Sequence, residues 1–287
     1  MAGLIVAGAD GSAPGAAAVD WAADDAARTG AELLIVHGLD RQPYSSTRFP
    51  DFGQGNYLLM GAAKVLEAAE AAVRARQPSV RVRAEIVEGT PAAVLQDQAR
   101  RADEVVIGNR GMGGFAGALL GSVTMQVAGQ ARCPVVVVRA EPPEPVGEIG
   151  IGIDDSGTCE PAIGYAFEQA RLRGATLRLI HAWQLPVHAF APEISFDLDE
   201  VRAGQREVIQ SRTVGWRERY PDVNVVEDVQ SAHPVEALTG VPSDLIVVGS
   251  HGRGAFGALL LGSVSRGVLH HAQCPVAVVR PPEHRDG

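Results

Sequence analysis

The sequence predicts an α/β protein made of two tandem copies of one fold, each a five-stranded parallel sheet with helices on both faces. Three observations carry that expectation. Short runs rich in Val, Ile and Leu alternate with longer alanine-rich segments, the pattern of strands interleaved with helices. The runs Leu33 to Val36 and Val135 to Val138 are apolar at consecutive positions, as strands covered on both faces should be; a sheet with one wet face would alternate. The pattern also occurs twice. Gly8, Asp10, Ser12, Gly30, Leu33 and His37 recur 144 positions later as Gly152, Asp154, Ser156, Gly174, Leu177 and His181. Further on the offset is 141, pairing Asp103 with Asp244, Gly108 with Gly249, Cys133 with Cys274 and Arg139 with Arg280.

In the first half, Leu4, Ile5 and Val6 mark a strand over 3–9, and the alanine-rich stretch 13–29 marks a helix. Leu33 to Val36 lie in a strand over 32–38, followed by a helix over 55–76 and a strand over 80–87. A helix over 91–101, a strand over 104–108, a helix over 121–131 and a last strand over 134–139 complete the half. The repeat is about 140 residues long, enough for each copy to bury its own core. Domains are therefore expected over 1–140 and 147–281. Pro142, Pro143 and Pro145 lie between them and favour an extended linker.

Composition excludes several functions. The chain has 287 residues, 34 acidic against 25 basic, a net charge of −9, so it has no general attraction for nucleic acid. No stretch approaches the roughly 18 apolar residues of a membrane span, and the first residues lack the basic start of a secretory signal. A soluble, cytoplasmic protein is expected. Cys133, Cys159 and Cys274 are far apart and form neither a disulfide framework nor a zinc pair. Lys64 is the only lysine, and no glycine precedes it, which excludes a P-loop.

Parallel α/β sheets bind ligands beyond the carboxyl ends of their strands. After the fourth strand of the first half come Gly108, Gly111, Gly121 and Ser122, in the spacing G-x2-G-x9-G-S; the second half repeats it with Gly249, Gly252, Gly262 and Ser263. Glycines let the backbone approach an anion and reach positive φ, so that successive N–H groups face one concavity. The closing Gly-Ser pair opens a helix, where free N–H groups and the positive end of the helix dipole favour phosphate. Arg110 and Arg253 can add charge. A rival G-x-G-x-x-G pattern at Gly252, Gly254 and Gly257 follows the fourth strand rather than the first, and the next strand ends in Arg280 rather than an acid. That placement argues against a dinucleotide site.

Asp10 and Asp154 end the first strands. Each can accept a hydrogen bond from a ribose hydroxyl or a base amine, or can cap the helix that follows, a role open to Ser12 and Ser156 as well. The pairs His37–Gly38 and His181–Ala182 close the second strands, and the small residues leave room for a flat base. Other clusters are poorer. Adjacent His270 and His271 cannot form an i, i+4 metal pair, Cys133 and Cys274 read as small apolar residues, and Glu67 to Arg76 reads as a solvated helix face.

With these motifs the chain resembles the tandem universal stress proteins over nearly its whole length, and G-x2-G-x9-G-[ST] is that family's ATP-binding signature. The resemblance implies Rossmann-like domains, each sheet in the order 3-2-1-4-5, that bind ATP, with or without Mg²⁺. It implies that Asp10 and Asp154 contact the nucleoside and that the backbone at Gly38 and Ala182 reads adenine. Ribose and phosphates would be held by Gly108, Gly111, Gly121 and Ser122 and by Gly249, Gly252, Gly262 and Ser263. It further implies antiparallel pairing of the two last strands into an internal pseudo-dimer, and a homodimer of chains. One departure stands out: Asp155 occupies the place of Gly11 and adds a carboxylate near the second site. The expected function is nucleotide-dependent regulation in a stress response, through binding rather than turnover, with no catalytic residue and no resident metal. The alternative, an ATP pyrophosphatase or nucleotidyl transferase of the same superfamily, needs acceptor-binding and catalytic groups that the sequence does not display.

Overall fold

The computed structural model describes residues 3–41, 56–112, 119–141, 143–184, 198–252 and 261–281. The chain divides into two compact units, Met1–Pro142 and Pro143–Gly287.

In the first unit the elements run β1 (Leu4–Gly8), α1 (Ala13–Thr29), β2 (Glu32–Leu39), α2 (Asn56–Arg76), β3 (Val82–Glu88), α3 (Pro91–Gln98), β4 (Glu104–Gly108), α4 (Ser122–Gln130) and β5 (Val135–Val138). The strands lie in the order β3-β2-β1-β4-β5, every neighbouring pair parallel, with Val6 opposite Leu34 on one side and Val105 on the other. The second unit runs β6 (Glu148–Gly152), α5 (Glu160–Arg173), β7 (Thr176–Trp183), α6 (Leu198–Arg219), β8 (Val225–Ser231), α7 (Pro234–Thr239), β9 (Leu245–Gly249), α8 (Ser263–His271) and β10 (Val276–Val279). Its parallel order is β8-β7-β6-β9-β10. The α/β class and the 3-2-1-4-5 order are as expected. Because β1 and β6 sit between strands reached in opposite directions, the loops leaving them part from those leaving β4 and β9 and open a crevice at the carboxyl edge.

The consecutive apolar runs are buried on both faces: Leu33, Leu34 and Ile35, and in the second unit Ile149, Ile151, Leu177, Leu179 and Leu245, are wholly enclosed. The third helix stops at Gln98, short of the expected 101. The N–H groups of Arg100 and Arg101 bond three residues back, to Asp97 and Gln98, tightening the chain out of the α-helix. α1 and α5 both end on glycine in the left-handed region, Gly30 at φ 68° and Gly174 at φ 61°. Their starts differ. Ser12 caps α1 and Pro14 lies in its first turn, whereas Thr158 stands at the corresponding position and Pro161 comes later, so the second unit begins with a 3₁₀ turn over Gly157–Cys159.

The repeated aspartate before the fourth strand fastens the chain at the start of the first. Asp103 Oδ2 accepts the N–H of Leu4 at 2.7 Å, and the Asp244 carboxylate accepts those of Val146 and Gly147 at 2.6 and 2.9 Å.

The expectation of a merely solvated face over Glu67 to Arg76 needs correction at its end. Arg76 Nε and Nη2 each donate to the Asp24 carboxylate on α1 at 2.8 Å, and Gln77 Nε2 adds a third bond at 2.8 Å. Burial alone would push the Asp24 carboxyl up. The Arg76 and Gln77 hydrogen bonds and the Arg76 and Arg28 charges outweigh it and hold the group below the ordinary carboxylate range. A carboxyl whose folded pKa is depressed contributes stability above its unfolded pKa and loses it as pH falls through the folded value. Arg76→Met is therefore expected to destabilise the protein at neutral pH, and the difference from wild type should vanish in strong acid; urea unfolding at the two pH values measures it.

Among the described residues no helix is long and apolar enough to cross a membrane.

Candidate functional site

At the carboxyl edge of the first unit the backbone leaves β1 through Ala9, whose N–H bonds the carbonyl of Val36 and whose carbonyl receives Nδ1–H of His37 at 2.8 Å. The counterpart His181 does the same to Ile153 at 2.8 Å, and its Nε2 lies 2.8 Å from the Gln205 side-chain amide on α6. These histidines orient the backbone just before each aspartate, a role that the sequence pairing of His37 with His181 did not reveal.

Asp10 is not the helix cap. Its Oδ1 accepts the N–H of Ser12 at 2.9 Å and its hydroxyl at 2.5 Å, while Ser12 Oγ caps α1 by accepting Gly15 N–H at 3.1 Å. Asp10 Oδ2 reaches across to the loop after β4 and accepts the N–H of Met112 at 2.9 Å. One carboxylate thus joins both loops. In the second unit Asp154 Oδ1 holds Ser156 through N at 3.1 Å and Oγ at 2.5 Å.

Among the motif glycines Gly108, Gly111 and Gly252 are required for close approach, and none of the six has a positive φ. Gly11, Gly30, Gly89, Gly147 and Gly174 are the glycines with positive φ among the described residues, and none belongs to either signature. A Cβ on Gly111 would stand 2.5 Å from Asp10 Oδ2, one on Gly252 2.7 Å from Asp154 Oδ2, and one on Gly108 2.7 Å from the Pro14 carbonyl carbon. These positions let the loop after the fourth strand lie against the aspartate and the start of the first helix. Gly121 and Gly262 take the N-cap positions of α4 and α8 with no side chain bonded across, and Ser122 and Ser263 begin those helices. The first N–H groups there have no capping side chain and remain for an anion. Behind them Thr124 Oγ1 donates to the Gly108 carbonyl at 2.9 Å, and Ser265 Oγ to that of Ser250 at 3.1 Å, which fixes each helix start against its strand end.

In the second unit these parts enclose a cavity of about 390 Å³. Its wall contains Asp154, Ala182, Gly249, Gly252, Gly262 and Ser263, all expected from the sequence, and also Pro234, Leu238, Val248 and His251. It has the size and the mix of apolar wall and few convergent polar groups of a small-molecule site. His251 Nδ1 lies 2.9 Å from Ser250 Oγ, and its buried Nε2 has no partner among the described residues. In the first unit Asp10, Gly108, Gly111, Gly121 and Ser122 occupy the matching positions. A Cβ on Gly38 would meet Pro91 Cα at 2.7 Å, so its smallness admits the start of α3. Ala182, its counterpart, lines the second-unit cavity. Arg253, Gly254 and Gly257 lie outside the described residues; Arg110 is exposed.

Cys133, Cys159 and Cys274 are free and buried. Burial, reinforced by the Glu104 charge, pushes the Cys133 thiol up to about 12. His270 is half-buried and His271 exposed on α8. Among the described residues no group of three His, Cys, Asp or Glu side chains could hold a metal ion.

The model of the universal stress protein family matches the chain twice, over residues 1–139 and 146–280. A universal stress protein of Mycobacterium tuberculosis is 35% identical, the similarity covering 96% of this chain and 96% of that one. One of Mycolicibacterium smegmatis is 36% identical over 96% of this chain and 97% of its own. Among solved structures, a universal stress protein of Archaeoglobus fulgidus shares the fold with a TM-score of 0.70 at 18% identity, covering 98% of this chain and 97% of that one.

Proposed function

The chain belongs to the universal stress protein family, and on that footing we propose that each unit binds one ATP at the carboxyl edge of its sheet and that occupancy, rather than turnover, is what the protein contributes to a stress response. The observation that carries this reading is the second-unit cavity, where Asp154, Gly249, Gly252, Gly262 and Ser263 converge on the uncapped start of α8. The open N–H groups, the helix dipole and the unpartnered His251 Nε2 suit a polyphosphate. The apolar wall of Ile180, Pro234, Leu238 and Val248 beside Ala182 suits a purine face. Asp154 is placed to accept from the nucleoside, and Asp10 occupies the same place in the first unit.

Isothermal calorimetry tests the reading: up to two ATP per chain are expected, and the absence of ATP binding at both units would refute it. Phosphate release is expected far below the ordinary enzymatic range of about 1 to 1,000 per second, because these residues hold phosphates without offering a base for water. The family resemblance also supports a dimer of chains, which light scattering would show as twice the mass of one.

Asp10→Ala should act on both stability and binding. It removes the bonds to Ser12 N, Ser12 Oγ and Met112 N, so stability should fall by about 1–3 kcal/mol, and ATP affinity at the first site should fall with it. Urea unfolding and calorimetry on the same variant read the two effects.

A further inference from the structure

The two sites differ in where positive charge is available. The first unit places Arg110 between Gly108 and Gly111; the second has His251 at that position. The second unit also carries an extra carboxylate, Asp155, immediately after Asp154, where the first has Gly11. The helices that face these loops differ to match. In the first unit α2 offers an apolar contact: Val65 Cγ2 would be 3.0 Å from a Cβ on Gly11. In the second unit α6 offers a cation, Arg212, whose Nη2 donates to the carbonyl of Asp155. Two helical turns before it on the same side of α6, Gln205 meets His181 at 2.8 Å, so α6 is tied to the site at two points. The field of Arg212 reaches the cavity wall. Burial and the Asp154 charge push the Cys159 thiol up, and Arg212 partly opposes them, while Cys159 lines the cavity.

We propose that Arg212 is a positioning residue of the second nucleotide site: held on the Asp155 carbonyl, it sets a fixed positive charge against the Asp155 carboxylate and so lets this site accept a polyphosphate. The proposal rests on the nucleotide reading above. The second site thereby draws a cation from the helix preceding β8 in addition to the Arg253 of its own loop, whereas the first carries Arg110 between its first two motif glycines. The effect is on charge, so it separates ATP from adenosine. A residue that only stiffened the loop would change both ligands alike.

The test uses the full chain carrying Gly111→Val, so that binding at the second site is read alone, with ATP and adenosine titrated by calorimetry. Arg212→Gln is expected to weaken ATP about tenfold, as befits a unit charge lost near a partly buried phosphate, and to change adenosine less than about twofold. Arg212→Lys should keep most of the ATP affinity. Asp155→Gly added to Arg212→Gln should restore ATP to within about threefold of the parent, because one charge of each sign has then been removed. Unchanged ATP affinity in Arg212→Gln, an equal loss of adenosine, or no restoration by Asp155→Gly would each overturn the proposal. A parent chain that binds neither ligand would instead refute the nucleotide reading, and the role of Arg212 with it.

Discussion

Gly252→Val is expected to lower the ATP stoichiometry from two to one, with the protein still folded. The Cβ alone would stand 2.7 Å from Asp154 Oδ2, and valine adds two methyl groups on the side where the cavity opens. The carboxylate can escape by rotating, but it then abandons Ser156 N and Oγ, the two bonds that hold it in place. The cost therefore falls on the site: affinity there should drop at least about 100-fold, roughly 3 kcal/mol, the upper end of what an overpacked position costs. Gly111→Val should do the same to the first site, where the Cβ would lie 2.5 Å from Asp10 Oδ2. Calorimetry on both variants reads the outcome. Loss of both sites from one substitution, with circular dichroism unchanged, would show that the sites are coupled rather than independent.

Phe167→Ala should cost about 3–5 kcal/mol of stability, the range for deleting a buried aromatic ring. Phe167 on α5 is wholly buried. Its ring lies 6.3 Å from that of Trp216 and 5.8 Å from that of Tyr220, both offset-stacked. Trp216 in turn presses on Gly164, where a Cβ would be 2.5 Å from the indole, and donates Nε1–H to Glu160 Oε1 at 2.6 Å. The cluster joins α5 to the end of α6, and the surrounding chain cannot collapse into the gap without moving a helix. Urea unfolding of the variant measures the loss; a change below about 1 kcal/mol would show that the cluster repacks. In the first unit Ala23 stands at the corresponding position, so the aromatic seam is particular to the second.

Much of this was legible in the sequence. The parallel sheet and most element limits followed from runs such as Leu33 to Val36, since a strand covered on both faces has no polar side to disguise it. The repeat located both copies of the site, and Asp154, Ala182, Gly249, Gly252, Gly262 and Ser263 do share one cavity. What escaped were relations between distant segments. A glycine announces that a side chain is unwelcome without naming the neighbour, and that Pro91 crowds Gly38 is not readable from the sequence. Arg76 read as part of a solvated face, and nothing singled out Arg212, because the sequence does not reveal that Asp24 and the Asp155 carbonyl lie opposite them. The 3₁₀ start of α5 depended on a proline displaced by three positions.

The bridge made by Asp10 has a consequence for how such a site can change over time. Its two oxygens serve different loops, one the turn into α1 and the other the glycine loop at Met112. The turn into α1 and the glycine loop therefore share a hinge pin and cannot drift apart. On the nucleotide reading proposed above, a lineage that altered the group accepted by Asp10 would disturb the glycine loop in the same stroke, so ligand preference is more readily retuned from the apolar side, where Leu238 lines the second-unit cavity, than at the carboxylate.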